Sequence, residues 1–97
     1  MPAYVIADVE VTDPDAYSGY TAGVPASVAR FGGRFLVRGD SVERLEGDWD
    51  PARVVVIEFP DMDSLRAWWD SDEYRALAEI RRSASRGSLL AVDGFAG

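Results

Sequence analysis

Three kinds of side chain in this sequence can do chemistry: carboxylates, arginines, and aromatic rings with polar tips. Glu58 closes the most apolar run, Val54-Val55-Val56-Ile57, four positions after Val54 and so on the same face of a strand. A carboxylate there is partly withdrawn from water, which favours its protonated form and suits general acid or base work. The same place suits a structural glutamate tied to a helix start or to an arginine. Arg38, near the end of another apolar run, offers a planar fork for a carboxylate ligand, or equally a partner for Glu58, Asp40 or Glu43. Tyr17 and Tyr20 share one helical face, and Trp68, Trp69 and Tyr74 crowd a second helix. That spacing belongs to a core as readily as to a pocket, but a buried tyrosine or tryptophan needs a partner for its polar tip. Neighbours on a helix lie about 100° apart, so one of Trp68 and Trp69 meets a pocket rim or a dimer seam, and spacing does not decide which. Glu58 is thus the candidate catalytic residue, and Tyr17, Tyr20, Arg38, Trp69 and Tyr74 are the candidate binding residues. They suit a pocket between helices and sheet for a small planar or acidic molecule.

Missing residue types bound this chemistry. The chain has no histidine and no cysteine, and all ten of its basic residues are arginine. Imidazole bases, thiol nucleophiles, Schiff-base lysines, disulfides and the usual zinc or haem ligands are therefore absent. No acidic cluster has the loop spacing of a magnesium or calcium site, and the expectation is no metal and no cofactor. Seventeen acids against ten bases leave a net charge of -7, which repels phosphate backbones and argues against a nucleic-acid partner. No apolar segment approaches membrane-spanning length and no charged leader precedes one, so a soluble, cytoplasmic protein is expected. Gly32-Gly33 follows a helix and precedes a strand, the reverse of a phosphate loop, and reads as a turn.

The elements that must position these residues follow from periodicity. Residues 3–11 read as a strand. Asp13 caps a helix that opens on Pro14 and carries Tyr17, Tyr20, Val24, Val28 and Phe31 as its apolar stripe. Pro25 predicts a kink or a restart near Val24, and Gly32-Gly33 ends the helix. Arg34 to Gly39 is a second strand, with Phe35 and Val37 on one face and Arg34, Leu36 and Arg38 on the other. Val42 to Leu45 extends it or forms a short edge piece. Arg53 to Phe59 is a strand apolar on both faces. Pro60 stops it, Asp61 or Asp63 caps the next helix, and Asp70-Ser71-Asp72 breaks that helix with a new cap. Gly87 then releases the chain into a last strand over Ser88 to Val92.

Two crossover units of this order make one α+β domain over residues 1–97: a ferredoxin-like βαββαβ fold, with a four-stranded antiparallel sheet and both helices on one face. Val54 to Ile57 is apolar on both faces, so the uncovered side calls for a second protomer, sheet to sheet.

In its ordered features the chain resembles the family called domain of unknown function 1330, of the dimeric α/β-barrel superfamily. The features are Tyr4-Val5-Ile6-Ala7, Asp13-Pro14 with Tyr17 and Tyr20, Gly32-Gly33-Arg34, Arg38-Gly39, Glu46-Gly47, Val55 to Pro60, Ala67-Trp68-Trp69, Ser71, Tyr74 and Asp93-Gly94. The resemblance covers essentially the whole chain and implies a dimeric α/β barrel. It implies no established reaction. Relatives in that superfamily include cofactor-independent monooxygenases, haem-degrading enzymes and lactone isomerases. Several use a histidine, and its absence here puts haem chemistry in doubt. Two functions are therefore expected: a small-molecule pocket, with cofactor-independent chemistry of the monooxygenase or isomerase type if any, or a non-catalytic dimeric module serving structure or protein interaction.

Overall fold

The computed structural model of the chain describes residues 1–39 and 41–95. Strand β1 (Ala3–Val11) buries Ala3, Val5, Ala7 and Val9 and leaves the alternate residues less covered, the period-two pattern of a half-buried strand. It lies in the middle of the sheet, whose strand order is β2-β3-β1-β4, with β2 spanning Arg34–Gly39, β3 Val54–Phe59 and β4 Ser85–Asp93. All three pairings are antiparallel. This is the ferredoxin-like α+β arrangement that the order of elements predicts.

Helix α1 (Pro14–Arg30) starts where Asp13 accepts the Ala16 amide at 3.2 Å and Pro14 supplies a preset φ. It runs through Pro25 as one helix, so of the two outcomes expected there the restart does not occur. It stops at Gly32, whose φ of +80° no side chain favours. Gly33 has another reason to be glycine: an added Cβ would lie 2.7 Å from Phe59 Cε1 and 2.8 Å from Val28 Cγ1. Asp61 caps α2 (Met62–Asp70) through the Ser64 amide at 2.7 Å, and Ser71 ends it and caps α3 (Asp72–Ala84) through Tyr74 at 3.1 Å. The second helical segment is thus two helices. Its last turn passes directly into β4 at Ser85, three residues earlier than expected, while the Ala84 carbonyl accepts from both Thr12 and Asp13. No helix is long and apolar enough to cross a membrane among the described residues.

Buried residues of all three helices form one cluster with the odd-numbered residues of β1 and with Ile57 and Phe59, so the helices share one face of the sheet. On the other face the register lines up Val37, Val56, Ile6 and Leu90, one aliphatic residue from each strand. Residues 42–45, read as a possible strand extension, form no strand, and β3 begins at Val54 rather than Arg53.

The facing of β2 needs the largest correction. Phe35 lies opposite Ile57 and Val37 opposite Val56, so Leu36 is the extra residue of a β-bulge. Beyond it the alternation is reset. Val37 joins the outer face, and Arg38, opposite Val55, joins Phe35 on the helix-covered face.

Candidate ligand cleft

On the helix-covered face, and still exposed to solvent, Arg38 lines a cleft between α1 and the sheet together with Tyr17 and Tyr20. Val5, Ala7, Val55 and Ile57 make its apolar floor. Two more arginines reach the same space: Arg53 from the loop residue just before β3 and Arg81 from the last turn of α3. Each is positioned by specific contacts. The Arg38 guanidinium lies 4.7 Å from the centroid of the Phe35 ring, a stacking contact that holds it over the strand. The Arg53 carbonyl accepts from Val9 at 3.0 Å, and next to it the Ala52 amide donates to Asp8 at 3.2 Å. Asp8 also accepts from Trp49 Nε1 at 3.1 Å, so one carboxylate anchors the end of the loop to β1. Arg81 Nε donates to the Tyr74 hydroxyl at 3.2 Å.

The electrostatics follow from this crowding. Burial pushes the Tyr17 hydroxyl above its ordinary pKa, and the positive charges of Arg53, Arg81 and Arg38 each oppose that rise. Tyr20 is raised much further, first by burial and then by the Tyr74 hydroxyl 2.9 Å away. It stays neutral across the physiological range and acts as a hydrogen-bond donor, not as a base. Either tyrosine can donate to the other. Because Arg81 already donates to Tyr74, the arrangement in which Tyr74 donates to Tyr20 leaves the Tyr20 hydrogen free for the cleft.

The other candidates separate. Tyr74 is fully buried behind Tyr20, which it orients. Trp68 is the inward tryptophan: it is 0% exposed, packs against Tyr74 with ring centroids 4.0 Å apart and planes tilted by 38°, and donates to Ser27 Oγ at 3.1 Å. Trp69 is 36% exposed and lines a neighbouring cavity of about 240 Å³ between α2 and β4. Glu58 is on the opposite face of the sheet from Arg38. Its carboxylate accepts from Arg34 Nε at 2.9 Å and from the Tyr4 hydroxyl at 3.1 Å, a bond that raises the Tyr4 pKa. The expected meeting of Arg38 and Glu58 at one pocket end therefore does not occur, because the bulge turns Arg38 to one side while Glu58 keeps the facing of Val54. Asp40, weighed as a partner for Arg38, lies outside the described residues.

Sequence reasoning missed Arg53 and Arg81. Arg81 had a legible signal, since it follows Tyr74 by seven residues and so returns to the same helical face. Arg53 had none, because its placement depends on Asp8 and Val9 across the sheet.

The family model described as Domain of unknown function (DUF1330) matches residues 2–95. Among similar solved structures, the RPA0582 protein of unknown function from Rhodopseudomonas palustris superposes with a TM-score of 0.80 at 18% identity, over 99% of this chain and 84% of that one. A dimeric ferredoxin-like protein of unknown function from Jannaschia sp. CCS1 gives 0.73 at 16% identity, over 98% and 99% of the two chains. SnoaB, a cofactor-independent oxygenase from Streptomyces nogalater, gives 0.69 at 19% identity, over 99% and 95%. At such identities the likeness shows the fold alone. No curated protein matches the chain.

Proposed function

The chain belongs to the DUF1330 family, and we propose that its single domain, residues 1–97, binds a small aromatic or acidic molecule in the cleft between α1 and the sheet. The observation that carries this reading is the convergence of Arg38, Arg53 and Arg81, from three separate elements, on a recess walled by Tyr17 and Tyr20. Three guanidinium groups lining one recess raise its positive potential, which favours an anion there. Guanidinium groups hold a planar acid through paired hydrogen bonds, and Tyr20 adds a neutral donor. In this reading Glu58, on the far face with Arg34 and Tyr4, is structural.

SnoaB is described as a cofactor-independent oxygenase, and that description suggests an enzymatic form of the same reading. The cleft would hold an acidic substrate as its anion, with the arginines stabilising the charge. The test is titration of tryptophan fluorescence with aromatic acids, quinols and small lactones. Acids should give a saturable change that Arg38→Ala weakens about tenfold or more, the size expected for a charged hydrogen bond. Silence from every compound would overturn the reading and leave the non-catalytic module.

A second reading concerns assembly and applies to either function: a homodimer joined sheet to sheet. The row Val37, Val56, Ile6 and Leu90 supports it, since a two-fold axis lets one aliphatic stripe cover another. Val37 and Leu90 are 42% and 62% exposed in the protomer. The Jannaschia protein is described as dimeric. Light scattering at low micromolar concentration should show twice the 10.6 kDa chain mass, and a folded single-chain species would sink the idea. A cysteine-free chain also suits the reducing cytoplasm, the proposed compartment.

A further inference from the structure

We infer that the arginine cleft and the cavity beside Trp69 are two halves of one site, built for an elongated carboxylic acid whose acid group enters the cleft and whose apolar body fills the cavity. The inference rests on the ligand-binding reading above and adds the shape of the ligand.

Size makes the first argument. The cleft has a volume of about 40 Å³. At roughly 10–15 Å³ for each water-sized position, it takes the acid group of a ligand, and a body larger than a single ring has to extend beyond it. The neighbouring cavity, at about 240 Å³, has room for such a body. Chemistry makes the second. The cleft collects cations, whereas the neighbouring cavity, an open groove along edge strand β4, is lined by Leu65, Trp69, Leu89, Leu90 and Ala91, with Arg66 as its charged lining residue. A cationic recess beside an apolar chamber matches an amphipathic acid and neither a sugar nor a phosphate ester.

Connection makes the third. Val5 and Leu89 line both spaces and are the partition between them. Val5 is fixed in the core at 3% exposure. Leu89 is only partly buried, on edge strand β4 opposite Ala7, whose small side chain leaves it room to change rotamer. Leu89 is thus the movable part of the wall.

Calorimetric titration of the whole protein with benzoate, 4-phenylbutyrate and 4-phenylbutyramide tests this. The long acid should bind on the order of tenfold or more tighter than benzoate, as three further buried methylenes imply. It should exceed its own amide by a similar factor, as loss of the charge implies. Leu89→Ala should tighten the long acid several-fold and leave benzoate within about twofold, because the partition is gone. Trp69→Leu, at a partly exposed position that packs on Trp68 and Tyr74, should weaken the long acid alone while the melting temperature stays near the parent's. Equal affinities for the two acids, or variants that shift both acids alike, would mean two unrelated cavities while the cleft reading survives. Binding of the amide as tight as the acid would remove the anion from the ligand class. No binding of either acid would overturn the cleft reading as well.

Discussion

Tyr20 shows how much one side chain owes to its surroundings. Burial and the Tyr74 hydroxyl hold its proton far more tightly than water would, and Tyr17 is raised by burial too. The sign of the linkage follows. The folded pKa lies above the unfolded value near 10, so this stability is fully present below about pH 10 and is lost as pH rises beyond it. The sequence has no lysine and no cysteine, which leaves tyrosine as the side chain that titrates there. Stability measured by urea titration should therefore be flat from neutral pH to about pH 10 and fall steeply above it, and Tyr20→Phe should flatten the alkaline fall. A fall unchanged in that variant would place the effect elsewhere. Gly33 makes a second case at this scale. A methyl group there would press on Phe59 and Val28, whose side chains are held in the core. Gly33→Ala should cost about 1–3 kcal/mol, the usual range for overpacking, read as a lower denaturation midpoint with an unchanged slope.

Among the elements, α1 contains its own test. The helix is unbroken across Pro25, so that position lacks only the amide that would bond to the Thr21 carbonyl. Pro25→Ala should restore the bond and stabilise the protein by about 1–2 kcal/mol, less than the full proline penalty because the freer unfolded chain offsets part of it. A lower melting temperature would show that Pro25 packs in a way that alanine does not replace. Much at this scale was legible in the sequence. The bounds of β1 and β2, the Gly32-Gly33 stop and the break at Asp70-Ser71-Asp72 follow from local chemistry that needs no partner, while the choice of Asp61 over Asp63 and of Ser71 as the caps comes from the structure. What was not legible depends on cross-strand register. Nothing in Phe35-Leu36-Val37-Arg38 marks Leu36 as the extra residue, and strict alternation puts Arg38 on the wrong face. The choice between Arg34 and Arg38 as partner of Glu58 rests on the same register. Trp68 and Trp69 lie three and four positions after Leu65, both near its face, and the buried Ser27 hydroxyl on another helix decides between them.

For the whole molecule, the uncovered sheet face governs behaviour. Val56 occupies the middle of the aliphatic row, on a central strand. Val56→Asp would put a carboxylate at the centre of the proposed seam, where pairing would strip it of water. The variant should elute as a single chain at concentrations where the parent is paired, and its melting temperature should lose any dependence on concentration. Retention of the pair would mean that another surface joins the protomers. The pairing of β1 with β4 has a mechanical consequence. The two strands run antiparallel from Ala3 opposite Asp93 to Val11 opposite Ser85, and the Gly94 amide closes the near end on the Pro2 carbonyl at 2.7 Å. Tension applied at Ala3 and Asp93 therefore loads the ladder from one end, and its bonds open in succession like a zipper. Handles at Ala3 and Ser85 would instead pull the strands along each other and strain every bond at once. In an optical trap the first geometry should yield at a distinctly lower force than the second, because the unfolding rate under load depends on how many bonds must break together. A fold that is stable in solution would thus be soft along one axis and stiff along another.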